Sequence, residues 1–172
     1  MSGQPDDVAG DQPFPHLGRT GEARMVDVSG KEVTRRQATA AGLVRLSADC
    51  VTALRAGTVP KGDALAVARI AGIQAAKRTP ELIPLCHPLM LSGVDVTAEV
   101  VDAGVELSAT VTTTERTGVE MEALTAVSVA GLAMIDMVKA LDKLAVITDV
   151  RVVAKSGGRS GDWTRDDAEG AR

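Results

Sequence analysis

Hydrophobic and polar positions alternate in the first patterned stretch of the chain, residues 36–46. Apolar or small residues occupy every second position there, which is typical of a β-strand with one buried face. These residues are Ala38, Ala40, Gly42, Val44 and Leu46. Ser47 follows as a candidate N-cap, and the apolar spacing of Cys50, Val51 and Leu54 predicts a short helix behind it.

A second helix is predicted to begin at Asp63, because a short polar side chain at the N-cap satisfies free backbone amides. Its pattern continues to about Arg78, and Pro80 is expected to end it. The two prolines of Pro84–Pro88 fix their own φ angles and restrict the residues before them. This segment is therefore predicted to be a rigid loop.

The second half of the chain predicts a hairpin and a long helix. Residues 94–101 and 105–114 alternate at period two on either side of a short turn, as hairpin strands do. Residues 117–120, Thr-Gly-Val-Glu, have the spacing of a capping box, which predicts a helix continuing to about Leu141.

A last strand is predicted over residues 144–154, with an interruption near Thr148 and Asp149. Residues 155–161 then read as a glycine–serine loop. The succession of strand, helices, hairpin, helix and strand predicts an α+β fold: a ferredoxin-like two-layer sandwich, with an antiparallel sheet and helices on one face.

The predicted domain organisation is simple. Residues 22–162 are expected to form a single catalytic ferredoxin-like domain, since 172 residues fit one domain. Residues 1–21, rich in Gly, Pro, Asp and Gln, are expected to be a disordered N-terminal arm. Residues 163–172 are expected to be a flexible C-terminal tail.

Composition excludes several classes of partner. A net charge of −4 and an aromatic content of 1% argue against nucleic-acid binding by backbone contacts or by base stacking. No apolar run reaches the roughly 20 residues of a membrane helix, so no membrane partner is expected. The two cysteines form no CxxC motif and the N-terminus does not resemble a signal peptide, which favours the cytoplasm.

Asp136 and Lys139 are the sharpest candidates for chemistry. They are three residues apart on a predicted helix that is otherwise apolar, so they share a face on which charge is costly unless paired. Burial would lower the pKa of a lysine there and suit it to proton transfer. An ordinary exposed ion pair at the end of the helix explains the same spacing, and both readings stay open.

Glu120 and Glu122 open the same helix. Dipole and capping roles account well for Glu120 and less well for Glu122. Glu122 and Asp136 are separated by about 21 Å at 1.5 Å per residue. Within one subunit they cannot contact the same atom, so either the ligand is long or two subunits meet at the site.

Cys86 and His87 suggest a metal or nucleophile site only at first sight. The remaining His16 and Cys50 could hardly complete the four ligands of a closed zinc site. No metal site is therefore predicted, and His87 is expected to act through hydrogen bonds.

Several basic residues stand at the ends of predicted elements, where side chains converge on one rim of a sandwich. They are Lys61, Lys77, Arg78, Arg116 and Lys155. Together with the loop at 156–161 they could hold a phosphate, but that loop matches neither common phosphate-binding motif. The residues by themselves predict an anion pocket and a Lys/Asp pair without identifying a substrate.

At these same positions the sequence resembles the molybdenum cofactor biosynthesis protein C family, the cyclic pyranopterin monophosphate synthases. The matching segments reach from about residue 24 to 162 in one order, which makes the resemblance highly specific. They are Met25–Ser29, Lys61–Asp63, Ala68–Thr79, Leu82–Met90, Thr117–Thr125, Asp136–Met137, Lys139–Ala140 and Ala154–Gly158.

The resemblance implies a ferredoxin-like homohexamer, a trimer of dimers with active sites between subunits. The implied substrate is (8S)-3′,8-cyclo-7,8-dihydroguanosine 5′-triphosphate, made by an upstream radical S-adenosylmethionine enzyme. The implied products are cyclic pyranopterin monophosphate and pyrophosphate, the reaction of a phosphorus–oxygen lyase. No cofactor is implied as required, although Mg²⁺ could accompany the triphosphate.

The resemblance also implies roles for individual residues. Asp136 and Lys139 would be the acid–base pair, with Lys61 as a second proton donor. Residues implied to line the substrate site are Leu85, Cys86, His87, Glu120, Met121 and Glu122. Those implied to hold the triphosphate are Arg36, Lys77 and Lys155. The rival hypotheses are a non-catalytic nucleotide-binding regulatory module on the same fold, and a zinc-dependent hydrolase.

Overall fold

A computed structural model describes residues 22–166, so the predicted arm at 1–21 and the end of the predicted tail lie outside the described residues. The elements are β1 (Thr34–Arg45), α1 (Ala48–Ala56), α2 (Ala64–Ala76), α3 (Thr79–Leu82), β2 (Leu91–Val101), β3 (Gly104–Glu115), α4 (Glu120–Val138), β4 (Val146–Ser156) and β5 (Trp163–Thr164).

The five strands form one sheet in the order β2-β3-β1-β4-β5, and every neighbouring pair is antiparallel. Helices α2 and α4 pack against each other and against this sheet. The predicted α+β, ferredoxin-like sandwich is confirmed. The order brings the start of β1 beside the end of β4, which places residues 36 and 155 on neighbouring strands.

One face of β1 forms the floor of the core, as its alternation predicts. Ala38, Ala40 and Val44 are almost fully buried. At Gly42 a Cβ atom would lie 2.9 Å from the Val127 side chain and 3.1 Å from that of Val150. Helix α4 therefore lies directly over β1, and only glycine leaves room for this approach.

Helices α2 and α4 also approach each other closely. A Cβ atom at Gly72 would lie 3.0 Å from the Ala126 carbonyl oxygen and 3.3 Å from the Ala130 Cβ. Small residues thus allow the two backbones to come together. Helix α4 is long and apolar enough to cross a membrane, but 56% of its most apolar window is buried in the domain, as in the core helix of a globular fold.

The predicted helix caps have mixed outcomes. The Ser47 side chain accepts from the Cys50 backbone N–H, and the Asp63 side chain from that of Ala66, so both predicted N-caps are confirmed. The capping box predicted at residues 117–120 is wrong. The N-cap of α4 is Val119, and no side chain bonds to it.

Three predicted boundaries differ from the structure. Helix α2 ends at Ala76 rather than near Arg78, and α4 ends at Val138 rather than near Leu141. Pro80 does not merely end a helix, because it lies in the first turn of the short helix α3, where its missing N–H is not needed. Residues 163 and 164, predicted to be tail, pair with β4 as the two-residue strand β5.

The predicted interruption of the last strand is confirmed as a register shift between β4 and β1 that falls between Thr148 and Arg151. A second shift, between Val152 and Ala154, was not predicted. Asp149 has a φ of 56°, a left-handed conformation that non-glycine residues rarely adopt. Lys155 and Ser156, predicted to begin the loop, instead extend the strand. The extension holds Lys155 on the helix-covered face, opposite Ala38.

Candidate active site

Lys61, Asp136 and Lys139 form one ion-pair cluster at the C-terminal end of α4. The Lys61 ammonium donates to the Asp136 main-chain carbonyl oxygen at 2.6 Å and to its carboxylate Oδ2 at 2.8 Å. The Lys139 ammonium lies 2.7 Å from the other carboxylate oxygen, Oδ1. The structure therefore brings together all three residues predicted to be catalytic.

The two ammonium groups control the charge of Asp136. Hydrogen bonds from Lys139 and then Lys61 lower the pKa of the Asp136 carboxyl to about 2, so it is a carboxylate at neutral pH. Of the two alternatives that the spacing left open, the single chain shows the exposed ion pair, since the side chains of Asp136 and Lys139 are 57% and 61% exposed. The helix is apolar, but these residues lie on the side that faces away from the core.

Two backbone features position the cluster. Lys61 lies in a turn closed by a hydrogen bond from the Gly62 N–H to the Val59 carbonyl oxygen, and Val59 is buried. Asp136 and Lys139 lie on one face of α4 as residues three apart. The cluster thus joins the α1–α2 connection to the end of α4, across 75 positions of sequence.

A cavity of about 270 Å³ lies at the other end of α4. It is lined by all six residues that the resemblance places at the substrate: Leu85, Cys86, His87, Glu120, Met121 and Glu122. The rigid loop before β2 supplies the first three and the first turn of α4 supplies the others. The predicted grouping of these residues is thus present in the structure, while their roles stay predictions.

Glu122 is 3% exposed and is the most buried carboxylate among residues 22–166. Burial raises the pKa of its carboxyl, its own backbone N–H partly offsets this, and the Glu120 carboxylate adds to the rise. Burial and the nearby Glu122 charge also raise the pKa of the Cys86 thiol. A thiol with a raised pKa is a poor nucleophile, which argues against a cysteine mechanism.

His87 is oriented by the segment before β1. Its Nε2 lies 2.7 Å from the Val26 carbonyl oxygen, which can only accept, so Nε2 carries a proton. In the neutral ring Nδ1 is then an acceptor. His87 therefore has the hydrogen-bonding role that the sequence analysis expected, with one ring nitrogen committed to the backbone.

The residues predicted to hold a triphosphate are only partly brought together. Lys155 is 3.3 Å from the Glu120 carboxylate, which links it to the wall of the cavity. Arg36 donates to the Glu115 carbonyl oxygen and lines an adjoining depression of about 810 Å³. Lys77 is exposed just after the end of α2. In the described part of the chain it lines neither the cavity nor the depression.

Sequence reasoning missed one cationic residue, Lys31, which lines both the cavity and the depression. Lys31 precedes β1 in a stretch without periodicity, so nothing in the pattern marks it. Arg159 belongs to the glycine–serine loop that was predicted to help hold a phosphate, and it lines the depression with Arg36.

Residues 22–166 contain no group of three or more His, Cys, Asp and Glu side chains arranged to hold a metal ion. The site within one chain thus consists of two parts, at opposite ends of a 19-residue helix. The cluster at Asp136 and the cavity at Glu122 are separated along α4 by about 21 Å at 1.5 Å per residue.

The chain is similar to proteins of one family over most of its length. The MoaC family model matches residues 25–158. A protein of Streptomyces griseus subsp. griseus named cyclic pyranopterin monophosphate synthase is 67% identical over 155 residues, which cover 90% of this chain and 88% of the relative. A Nocardioides protein with the same name is 65% identical over 87% of this chain and 94% of its own. Cyclic pyranopterin monophosphate synthase 2 of Mycobacterium tuberculosis strain H37Rv is 58% identical over 87% of this chain and 90% of its own.

Proposed function

Because the chain belongs to the MoaC family, we propose that it is a cyclic pyranopterin monophosphate synthase of molybdenum cofactor biosynthesis. The observation that carries this proposal is the Lys61–Asp136–Lys139 cluster, in which one carboxylate holds two ammonium groups through separate oxygens. Such a cluster supplies proton donors, which ring opening and ring closure at nitrogen and oxygen require.

The proposed substrate is (8S)-3′,8-cyclo-7,8-dihydroguanosine 5′-triphosphate. Its five-membered guanine ring is opened by hydrolysis, the pyrazine ring closes, and a cyclic phosphate forms as pyrophosphate leaves. The last step makes the enzyme a phosphorus–oxygen lyase. Each ring step moves protons on nitrogen or oxygen, so the protein needs acids and bases and no redox group.

Within the cluster the lysines are the proposed proton donors and Asp136 orients them. A carboxyl with a pKa of about 2 carries no proton to donate at neutral pH. An ammonium has three N–H donors. Lys139 uses one on Asp136 and keeps two for the substrate, whereas Lys61 uses two and keeps one.

The cavity at the start of α4 is the proposed recognition site for the guanine-derived ring. Glu122 and Glu120 would accept hydrogen bonds from the N–H edge of this ring. Nδ1 of His87, an acceptor in the neutral ring, would accept a hydrogen bond as well. Leu85, Cys86 and Met121 would shape the cavity. Arg36, Lys77 and Lys155 would bind the triphosphate, and Lys31 and Arg159 extend this basic lining on the Arg36 side.

We further propose that the two parts of the site meet between subunits of a homohexamer, a trimer of dimers. The separation along α4 supports this, because one small ligand cannot contact both ends of the helix. Leu132 is 59% exposed one turn before Asp136, and Leu144 is 86% exposed shortly after Lys139. Exposed apolar side chains beside the cluster are typical of a surface that another chain covers.

The proposed setting is cytoplasmic, and Cys50 and Cys86 are both free thiols. The substrate would come from a radical S-adenosylmethionine enzyme. No cofactor is proposed as necessary, although Mg²⁺ can accompany a triphosphate. The alternative of a non-catalytic regulatory module needs the basic residues but no proton donor, and the cluster favours catalysis over it.

The test of this proposal is turnover of the cyclised dihydro-GTP by the full chain. We expect cyclic pyranopterin monophosphate and pyrophosphate to appear in equal amounts, with no metal added beyond trace. Binding of the nucleotide without either product would reject the synthase and support the regulatory module. Activity that is abolished by chelators and restored by zinc would support the zinc hydrolase.

A further inference from the structure

Asp142 is a buried carboxylate that the proposed mechanism does not use. It is 7% exposed and lies in the turn after α4. Its Oδ2 accepts from the Ser47 backbone N–H at 2.6 Å, and its Oδ1 accepts from the Leu144 N–H at 2.9 Å. These bonds, the one from Ser47 first, lower the pKa of Asp142, so it is charged at neutral pH.

The turn that carries Asp142 is tied to the end of α4. The backbone N–H groups of Leu141 and Asp142 both donate to the Val138 carbonyl oxygen, at 2.8 and 3.0 Å. Asp142 therefore has a fixed position relative to Lys139, three residues before it, and to Asp136.

Ser47 begins the segment that leads to Lys61, the member of the cluster that does not belong to α4. It caps α1, and the chain runs from there through α1 to the turn at Lys61. The segments 47–61 and 136–142 are thus joined twice, by the Ser47–Asp142 bond and by the Lys61–Asp136 contact.

The two joints differ in strength. Lys61 and Asp136 have side chains that are 40% and 57% exposed, and an ion pair in contact with solvent contributes little to stability. A short, charge-assisted bond to a buried carboxylate is stronger and holds a backbone atom instead of a flexible side chain. The Ser47–Asp142 bond therefore fixes the position of Lys61 more than the Lys61–Asp136 contact fixes the position of Ser47.

We infer that Asp142 is a positioning residue: by binding the Ser47 N–H it fixes the segment that presents Lys61 to Asp136 and to the substrate. The inference rests on the catalytic role proposed above for the cluster. Among the described residues no hydrogen bond or ion pair joins Asp142 to Lys61, Asp136 or Lys139, so it acts through the backbone.

Ser47 offers a matched pair of variants that isolates this bond. Ser47 has a φ of −66°, within the range of proline. Ser47→Pro removes the hydroxyl cap and the N–H that Asp142 binds, and its ring Cδ displaces the Asp142 carboxylate, which lies 2.6 Å from that nitrogen. Ser47→Ala removes only the cap and keeps the N–H. The difference between the two variants therefore reports the loss of the Ser47–Asp142 contact, and Asp142→Asn weakens the same bond without an added ring.

On the full chain we expect kcat of Ser47→Pro to fall on the order of tenfold to a hundredfold below that of Ser47→Ala, since small misplacements of catalytic groups have effects of this size. KM should change little. The acid limb of the pH profile of kcat should move to higher pH, because the hydrogen bond from Lys61 that helps to lower the pKa of Asp136 is weakened. Asp142→Asn, which keeps one acceptor oxygen, should lie between Ser47→Ala and Ser47→Pro.

Acetylation of Lys61, followed by peptide mass spectrometry, gives a readout that does not need activity. We expect Lys61 to react faster in Ser47→Pro and Asp142→Asn than in Ser47→Ala, with the reactivity of exposed Lys77, which follows α2, unchanged. If circular dichroism shows that Ser47→Pro does not fold, the comparison of Asp142→Asn with wild type tests the inference. Equal kcat, pH profile and Lys61 reactivity in Asp142→Asn and wild type would overturn the inference. A wild type without turnover would instead reject the proposed function, and Lys61 reactivity would still test the joint.

Discussion

At the scale of single residues, Glu122 shows how the cost of burying a carboxylate competes with its proposed role in binding the substrate. Its carboxyl lines the cavity and is 3% exposed, so the folded protein holds a charge in surroundings that disfavour it. A raised pKa means that the folded state binds the proton more tightly than the unfolded state does. The carboxylate therefore lowers stability as the pH rises above its ordinary value of 4.5.

Glu122→Gln is expected to raise the free energy of unfolding at pH 7 and to lower kcat. The gain in stability should vanish below pH 4.5, where the carboxyl of the wild type is protonated in both states. Urea unfolding at pH 4 and pH 7 measures this. Glu81→Gln, the same change at an exposed carboxylate, should stay within about 0.5 kcal/mol of wild type at both pH values. A destabilised Glu122→Gln at pH 7 would contradict the account.

The residues of the cluster were unequally predictable. Spacing alone pairs Asp136 with Lys139, because residues three apart share a helix face. Nothing in spacing pairs Lys61 with Asp136, 75 positions away. The pattern placed Lys61 only among the basic residues of an anion pocket, and the family resemblance alone joined it to the pair. Spacing left buried and exposed forms of the pair as alternatives, because the free side of the helix becomes clear only once the core is assembled.

At the scale of elements, periodic patterns predicted every strand and helix of more than four residues in the described part of the chain. Helix α3 and strand β5, with four and two residues, are too short to show a period. The capping box failed because α4 begins at Glu120 with Val119 as its N-cap, so Thr117 lies outside the helix. The Glu120 carboxylate lies close to Gly118 and pairs with Lys155 on β4. Its partner is therefore a residue of the sheet and not a free amide of its own helix.

The close packing of α2 on α4 predicts an effect at Gly72. Gly72→Val adds three carbon atoms where even a Cβ atom would lie 3.0–3.3 Å from three neighbours, among them a backbone oxygen. We expect it to destabilise the fold by about 1–3 kcal/mol through overpacking, measured by urea unfolding. Gly93→Val is the control, because a Cβ atom there meets nothing within 4 Å. Equal stability of the two variants would show that α2 and α4 are free to separate.

At the scale of the whole molecule, α4 carries the proposed catalytic cluster at one end and the proposed recognition cavity at the other. In the proposed assembly a complete site combines the end of α4 from one subunit with the start of α4 from another. The length of the helix supports this proposal, whereas the sequence alone left a long ligand and a shared site as alternatives. Which subunits meet depends on the assembly, and no pattern along one chain encodes that.

Two inactive variants should therefore restore each other. Co-expressed Lys139→Ala and Glu122→Gln chains are expected to regain about a quarter of wild-type activity, since random mixing leaves one site in four with both parts intact. The control mixes wild type with the double variant, where sites within one subunit would give half and shared sites a quarter. Failure of the single variants to complement would show that each subunit builds its own site.

The most direct test of the account is single-turnover conversion of the cyclised dihydro-GTP, with binding measured on the same samples. Wild type and Lys139→Ala should bind the substrate alike, while Lys139→Ala converts it about 10²–10⁴-fold more slowly. Lys143→Ala, which removes an exposed lysine outside the cluster, should convert it at the wild-type rate. If Lys139→Ala binds and converts as wild type does, the cluster is not the catalytic centre.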